Sequence, residues 1–166
     1  MIRKVILAFA FGAPENIRPN RLIAHQTTYL SLPRGADIFT QKDVPLDQLS
    51  TVFAENVTAK KDCLSTLDVV QAFVNWIMVL LAREEEIWDK CIIVAAPQHR
   101  LRCCRDLEKT LKEYKLAMEI IIDDELEAED MYDKYSHQSW TRSWWQWWLR
   151  EIPLRLLPWW LYKKIK

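Results

Sequence analysis

The sequence predicts a single α/β domain with a doubly wound, mainly parallel sheet and helices on both faces, a Rossmann-like three-layer sandwich. Val5 to Phe11 and Lys90 to Ala96 are nearly continuous apolar runs, which is typical of strands covered on both faces. Turn-forming residues and then a helical pattern follow each run, and strands that alternate with helices favour a parallel sheet. Because ligands of such sheets bind beyond the carboxyl ends of the strands, we expect a site in the loops that follow them.

Composition sets the scale of the domain and excludes one class of partner. The 166 residues are 50% hydrophobic, enough for one sizeable core. The 23 basic and 23 acidic residues cancel, so the chain lacks the overall positive field of a nucleic-acid-binding protein. We therefore expect no nucleic-acid partner.

The first half of the chain predicts one βαβ unit followed by an irregular stretch. Gly12 and Pro14 end the first strand, Asn20 is predicted to cap a helix that runs to about Ser31, and a short strand covers Ala36 to Thr40. Residues 41–61 form a long connection that we interpret as a lid, with a short helix opening at Pro45. Its apolar face would comprise Leu46, Leu49, Val52 and Phe53.

The second half alternates again and ends in an aromatic tail. Ser65 begins a long apolar helix to about Glu86, and Pro97 opens a helix to about Tyr114. A strand at Ala117 to Ile122 completes the sheet. Pro153 and Pro158 are read as helix breakers, so we divide the chain into an α/β domain, residues 1–152, and a tail, residues 153–166.

Neither a metal site nor a membrane span is predicted. The four cysteines form no CxxC pair and are interpreted as reduced, mostly buried thiols: Cys63, Cys91, Cys103 and Cys104. The longest apolar stretch, Val69 to Ala82, falls short of the roughly 20 residues that cross a bilayer. The short N-terminal apolar run lacks a convincing cleavage site, so a cytoplasmic location is expected.

The sharpest functional signal is the turn from the strand at Lys90–Ala96 into the next helix. Ala96 offers no side-chain acceptor, so the first N–H groups of that helix are predicted to bind an anion. His99 and Arg102 project from one side, three residues apart. We predict a neutral His99 as acid or base, Arg102 as an anion ligand and Gln98 as a further binding residue. The alternative is that these side chains simply face solvent.

Two further helix starts are candidates for the same crevice. Thr66 is predicted to bind the ligand and Asp68 to act as a general base. The alternative is a capping box, in which Ser65 and Asp68 satisfy each other's backbone donors. Arg21, on the first helix, is a third candidate ligand, and its alternative is an ordinary surface arginine.

These residues resemble signatures of the YdcF/SanA/ElyC-like bacterial family, a domain of poorly known function. The family's V-T-S-x-x-H-x-x-R-A turn is similar to Val94 to Cys103, and its N-T-x-E-N-A helix start is similar to Ser65 to Val70. Weaker similarities are Arg21-Leu22 and Arg150-Glu151. The resemblance implies a doubly wound fold, an envelope-related role and, from one member, S-adenosylmethionine binding. The family's glycine-rich turns after the first two strands are lacking here, which puts phosphate cradling in doubt.

The leading hypothesis is a crevice that binds a small anionic ligand, nucleotide-like or phosphorylated, with acid or base chemistry at His99. The cofactor is unknown. One alternative is a non-catalytic ligand-binding module, and another is an interaction or membrane-surface protein acting through its tryptophan-rich tail.

The tail itself allows two interpretations. Trp144, Trp147 and Trp148 have helical spacing and are predicted to dock on the sheet. Residues 154–166 combine aromatic and basic side chains without an acid, as at a lipid interface. We favour packing on the domain or across a homodimer over membrane contact.

Overall fold

The computed structural model describes residues 3–31, 36–46, 54–57 and 65–165, and these residues form five strands and five α-helices. The strands are β1 (Lys4–Ala8), β2 (Asp37–Gln41), β3 (Ala54–Val57), β4 (Lys90–Val94) and β5 (Glu119–Ile122). The helices are α1 (Arg18–Ser31), α2 (Thr66–Ala82), α3 (Pro97–Glu113), α4 (Trp144–Leu156) and α5 (Trp159–Ile165).

The sheet is parallel throughout and has the strand order β3-β2-β1-β4-β5. Val5 of β1 is aligned with Asp37 of β2 on one side and with Cys91 of β4 on the other. The chain builds outward from β1 in one direction, then returns and builds outward in the other. This reversal between β1 and β4 is the topological switch point at which doubly wound sheets bind ligands.

The central strands of the sheet are buried on both faces because they are apolar in both directions. Val5 and Leu7 contact a core that includes residues of α2 and α3, whereas Ile6 and Ala8 contact a core that includes α1 and Trp147 of α4. Side chains alternate across a strand, so a continuous apolar run fills both cores at once. The predicted doubly wound α/β fold is therefore confirmed.

The connection predicted as irregular contains a strand. Residues 54–57 form β3, the edge strand, which pairs with β2. Residues 47–53, where the short helix and lid were predicted, lie outside the described residues, as does Cys63. Cys91 and Cys103 are buried free thiols and Cys104 is half-buried.

Asn20 does not cap α1, contrary to the sequence-based prediction. The helix begins at Arg18, and Asn20 is buried in its first turn. The Asn20 amide oxygen accepts a hydrogen bond from Phe11 N at 2.8 Å, and its nitrogen donates to the carbonyls of Gly12 and Pro14, both at 3.1 Å. The Asn20 side chain thus stabilises the loop after β1 and does not cap α1.

Pro153 does not break the chain's last long helix. It lies inside α4, and the helical break comes at Pro158, between α4 and α5. Because proline removes only one helical N–H, its cost is tolerated near the end of a helix whose other turns are held by packing. The domain boundary drawn after residue 152 therefore falls inside a helix.

The predicted tryptophan stripe docks through two of its three rings. Trp147 is buried and Trp148 is half-buried, but Trp144 is exposed, so the prediction fails for Trp144. Helix α5 packs on α3, where the Tyr162 hydroxyl donates to Asp106 Oδ2 at 2.6 Å. None of the helices within the described ranges has both the length and the apolarity needed to cross a bilayer.

Candidate functional site

A cavity of about 450 Å³ opens at the switch point. The loop after β1, the residues after β2, the first turns of α2 and α3, and helix α4 all contribute to its wall. Small-molecule sites typically enclose roughly 300–1,000 Å³. Both the position and the size of this cavity are therefore those of a ligand site.

His99 stands in the wall of this cavity, bonded through one ring nitrogen. Its Nε2 lies 2.8 Å from Thr66 Oγ1 and 3.0 Å from Arg102 Nη2, and Nδ1 is buried without a hydrogen-bond partner. The rings of Phe9, Phe11 and Trp147 surround the imidazole. A strand that turns directly into α3 places His99 and Arg102 one helical turn apart, so the two side chains meet.

The contact with Arg102 determines the protonation state of His99. A guanidinium only donates hydrogen bonds, so His99 Nε2 must accept and the proton of the neutral ring lies on Nδ1. Burial lowers the pKa of His99 well below its ordinary value, and the positive charges of Arg102, Arg150 and Arg155 lower it further. The prediction of a neutral His99 agrees with this geometry. The lone pair on Nε2, however, already accepts the hydrogen bond from Arg102, and Thr66 Oγ1 lies within hydrogen-bond distance of the same nitrogen.

Arg102 belongs to a buried group of charges that links α3 to α4. Its Nη1 lies 2.9 Å from Glu151 Oε2, and Arg155 Nε lies 3.0 Å from Glu151 Oε1. Arg155 also donates to the Gln98 carbonyl at 3.0 Å. Two guanidinium groups share one carboxylate here, so the group keeps an excess positive charge next to the cavity. Arg102 Nε is buried without a partner.

The loop after β1 does not form a phosphate cradle. The Ala10 N–H donates to the Gln41 side chain at 2.7 Å, and Phe11 N–H to Asn20. Gly12 has φ 96°, and a Cβ at this position would lie 2.7 Å from Ser136 Oγ. The glycine therefore permits packing against residues 136–141, and the N–H groups of Ala10 and Phe11 are not free to bind a pyrophosphate.

Asp68 holds the start of α2 through the predicted capping box. The Asp68 backbone N–H donates to Ser65 Oγ, and Asp68 Oδ2 accepts from Ser65 N at 3.2 Å and from Ser65 Oγ at 2.7 Å. The capping-box interpretation is confirmed. Asp68 also lines the cavity, so its carboxylate has a structural role at the wall of the site.

The structure brings together four of the six residues that the sequence singled out. Thr66, Asp68, His99 and Arg102 line the cavity. Arg21 is exposed on α1, and neither Arg21 nor Gln98 is part of the cavity wall. The side-chain amide of Gln98 is instead buried without a hydrogen-bond partner.

Three residues of the site carried no chemical signal in the sequence. Arg150 and Trp147 reach the cavity from α4, and Asp43 reaches it from the turn after β2. The sequence pointed to α4 only through the predicted docking of Trp147 and the weak similarity at Arg150-Glu151, and neither feature placed α4 at a ligand site. Among the described residues, no cluster of three or more His, Cys, Asp or Glu side chains is placed to hold a metal ion.

Comparison with known proteins adds no relative. No family model, no curated protein and no solved structure matches the chain. The site must therefore be interpreted from its own geometry.

Proposed function

We propose that the cavity binds a small anionic molecule with a single phosphate or carboxylate group, held by Arg102 and Arg150. The observation that carries this proposal is Arg102 itself, a buried guanidinium in the wall of a cavity at the switch point, with one N–H group lacking a partner. Because Glu151 and His99 hold the two terminal nitrogens of Arg102, Arg102 offers a ligand its charge and its Nε, and Arg150 adds a second guanidinium to the cavity wall. The excess positive charge around Glu151 favours the same class of ligand.

The geometry favours a ligand with a single phosphate or carboxylate group over a dinucleotide. In the loop after β1, the N–H groups of Ala10 and Phe11 are bonded to side chains, so these two donors are not available to a pyrophosphate. Asp43 follows β2, where related folds place an acid against a ribose hydroxyl. A phosphate monoester that also carries hydroxyl groups would place its phosphate near Arg102 and Arg150 and a hydroxyl group near Asp43.

Binding without turnover is the version of this function that the contacts support. His99 Nε2 accepts from Arg102, so His99 gains a free lone pair only when Arg102 moves away. The YdcF-like family assignment, an envelope-related role and a cytoplasmic location remain proposals. Three of the four similarities on which the assignment rests contribute side chains to this cavity.

Ligand identification and a matched pair of arginine variants test the proposal. Native mass spectrometry of the purified protein identifies any retained molecule. Thermal melts then measure the stabilisation by inorganic phosphate, phosphate monoesters, carboxylates and S-adenosylmethionine. Arg150→Gln should remove the stabilisation by anions, whereas Arg21→Gln, at an exposed arginine outside the cavity, should preserve it.

The outcomes separate the alternatives. Stabilisation by anions that both variants retain would place binding elsewhere, and stabilisation by S-adenosylmethionine alone would overturn the anionic class. Turnover of a phosphoester panel that is lost in His99→Ala would instead establish an enzyme.

A further inference from the structure

Helix α4 has an exposed apolar face opposite the side that packs on the domain. Trp145, Leu149, Ile152 and Leu156 are all more than half exposed and follow the i, i+4, i+7, i+11 spacing of one helical stripe. Trp147 and Glu151, on the other side of the helix, are buried. Helix α4 therefore has two apolar faces. One of them packs on the core of the domain, and packing within the domain does not account for the other.

The apolar exposure continues into α5. Trp160 and Ile165 are also more than half exposed, while Tyr162 of the same helix is buried. Single exposed apolar side chains are ordinary, but a continuous stripe on a helix marks an interaction surface. We call the α4 stripe together with Trp160 and Ile165 the aromatic face.

The charges around the aromatic face are basic. Within residues 139–165 the one acid, Glu151, is buried, and the exposed or half-buried charges are Arg142, Arg150, Arg155, Lys163 and Lys164. On α4, Arg155 and Arg150 lie on opposite sides of the stripe, at helical angles of about 90° and about 130° from its centre. The apolar surface is thus flanked by positive charge along both edges.

Indole rings lie against several of these cations. Arg155 Cζ lies 5.0 Å from the Trp148 ring, and Lys164 Nζ lies 5.7 Å from the Trp160 ring. Tryptophan prefers the headgroup depth of a bilayer, where its ring is in an apolar layer and its N–H meets water. Lysine and arginine at the same depth bind anionic headgroups.

From this combination we infer that the aromatic face binds the surface of a membrane that carries anionic lipid headgroups. A second copy of the chain is the competing occupant. Docking two aromatic faces would bring the basic edges of both copies together, and the two acids nearest this face among the described residues already have partners. Glu151 is buried against Arg102 and Arg155, and Glu113 binds Lys163. An anionic lipid surface neutralises these edges and also accepts the apolar stripe. Arg150 and Ile165 also line the cavity, but the stripe residues Leu149 and Leu156 do not, so the inference requires no ligand in the cavity.

Vesicle sedimentation with the full chain tests the inference. The probes are vesicles of phosphatidylcholine alone and vesicles of equal parts phosphatidylcholine and phosphatidylglycerol. The full chain should sediment with the anionic vesicles, bind the neutral ones much less, and be released by salt. Brominated acyl chains should quench the tryptophan fluorescence only in the bound state.

Two double variants serve as test and matched control. Leu149→Ser with Leu156→Ser alters the stripe, and Leu101→Ser with Tyr135→Ser alters equally exposed side chains elsewhere. The first pair should weaken binding at least about tenfold, because each lost leucine removes a buried hydrocarbon group. The second pair should bind like the unmodified chain. Thermal melts verify that both variants remain folded.

Three results would overturn the inference. The first is that the unmodified chain fails to bind any vesicles. The second is that the Leu149/Leu156 variant binds as well as the control, and the third is equal binding to neutral and anionic vesicles. Sedimentation equilibrium adds the decisive contrast: a dimer that the Leu149/Leu156 variant dissociates, without vesicle binding, would assign the face to self-association instead.

Discussion

Arg102 Nη2 lies 3.0 Å from His99 Nε2, so a permanently charged donor fixes the tautomer of a buried imidazole. The first prediction follows from this contact. A heteronuclear NMR spectrum of the imidazole nitrogens should place the His99 proton on Nδ1 at neutral pH and keep it there well below pH 6.5. A protonated Nε2 would contradict the proposed donor direction.

The lowered pKa of His99 predicts a pH dependence of stability. The unfolded chain protonates His99 below about pH 6.5, whereas the folded chain resists protonation. The unfolded state then binds more protons, so the free energy of unfolding falls as the pH drops, by at most about 1.4 kcal/mol per pH unit. Urea unfolding between pH 5 and 7 measures this slope, and His99→Gln should reduce it. An unchanged slope in the variant would rule His99 out as its source.

Glu151→Gln tests the buried charges between α3 and α4. The substitution leaves Arg102 without its carboxylate inside the protein, and breaking such a pair should lower the free energy of unfolding by about 3 kcal/mol. Glu85→Gln is the matched control, because Glu85 pairs with Arg83 on the surface and should cost less than about 1 kcal/mol. Equal losses in the two variants would mean that the buried pair contributes no more than a surface pair.

Gly12→Ala tests the closed loop after β1. The residue has φ 96°, and its new methyl group would meet Ser136 Oγ and Thr141 Oγ1 below 3.0 Å. We expect the free energy of unfolding to fall by about 2 kcal/mol, measured by urea denaturation. A loss below about 0.5 kcal/mol would indicate that this loop is free to rearrange, and that its role in closing the phosphate seat is overestimated.

The sequence predicted the central strands correctly, and it predicted four of the residues that line the cavity. Apolar runs predict β1 and β4 because both faces of these strands are buried, and Pro97 marks the start of α3. β3 was missed because residues 54–57 (AENV) lack a continuous apolar pattern, whereas β5, at the other edge of the sheet, was predicted from its apolar run. Local pattern therefore identifies strands with an apolar run, at the centre or at the edge of the sheet, and misses a strand without one.

Long-range pairing explains the site residues that the sequence did not identify. Glu151 is a single acid in a basic segment, and nothing local indicates that it meets Arg102 of α3. Arg21 seemed a plausible ligand because it opens a helix after a strand. Asn20 takes the buried position in that turn, however, and Arg21 faces solvent. A shift of one residue in a helix changes which side chain reaches a cavity.

The last prediction contrasts two tryptophans of α4. Trp147 is 2% exposed and Trp145 is 57% exposed. Trp147 packs against Phe11 and His99, with ring centroids 4.8 Å and 5.3 Å apart. Trp147→Ala should lower the free energy of unfolding by about 4 kcal/mol, because it leaves a void beneath the cavity. Trp145→Ala should change it by less than about 0.5 kcal/mol.

Urea denaturation of both variants checks the contrast, and vesicle sedimentation of Trp145→Ala adds a second readout. If the aromatic face binds lipid, Trp145→Ala keeps the stability of the unmodified chain but loses part of its binding to anionic vesicles. A large loss of stability in Trp145→Ala would mean that its ring is buried in the folded protein, which would remove Trp145 from the exposed stripe on which the membrane inference depends.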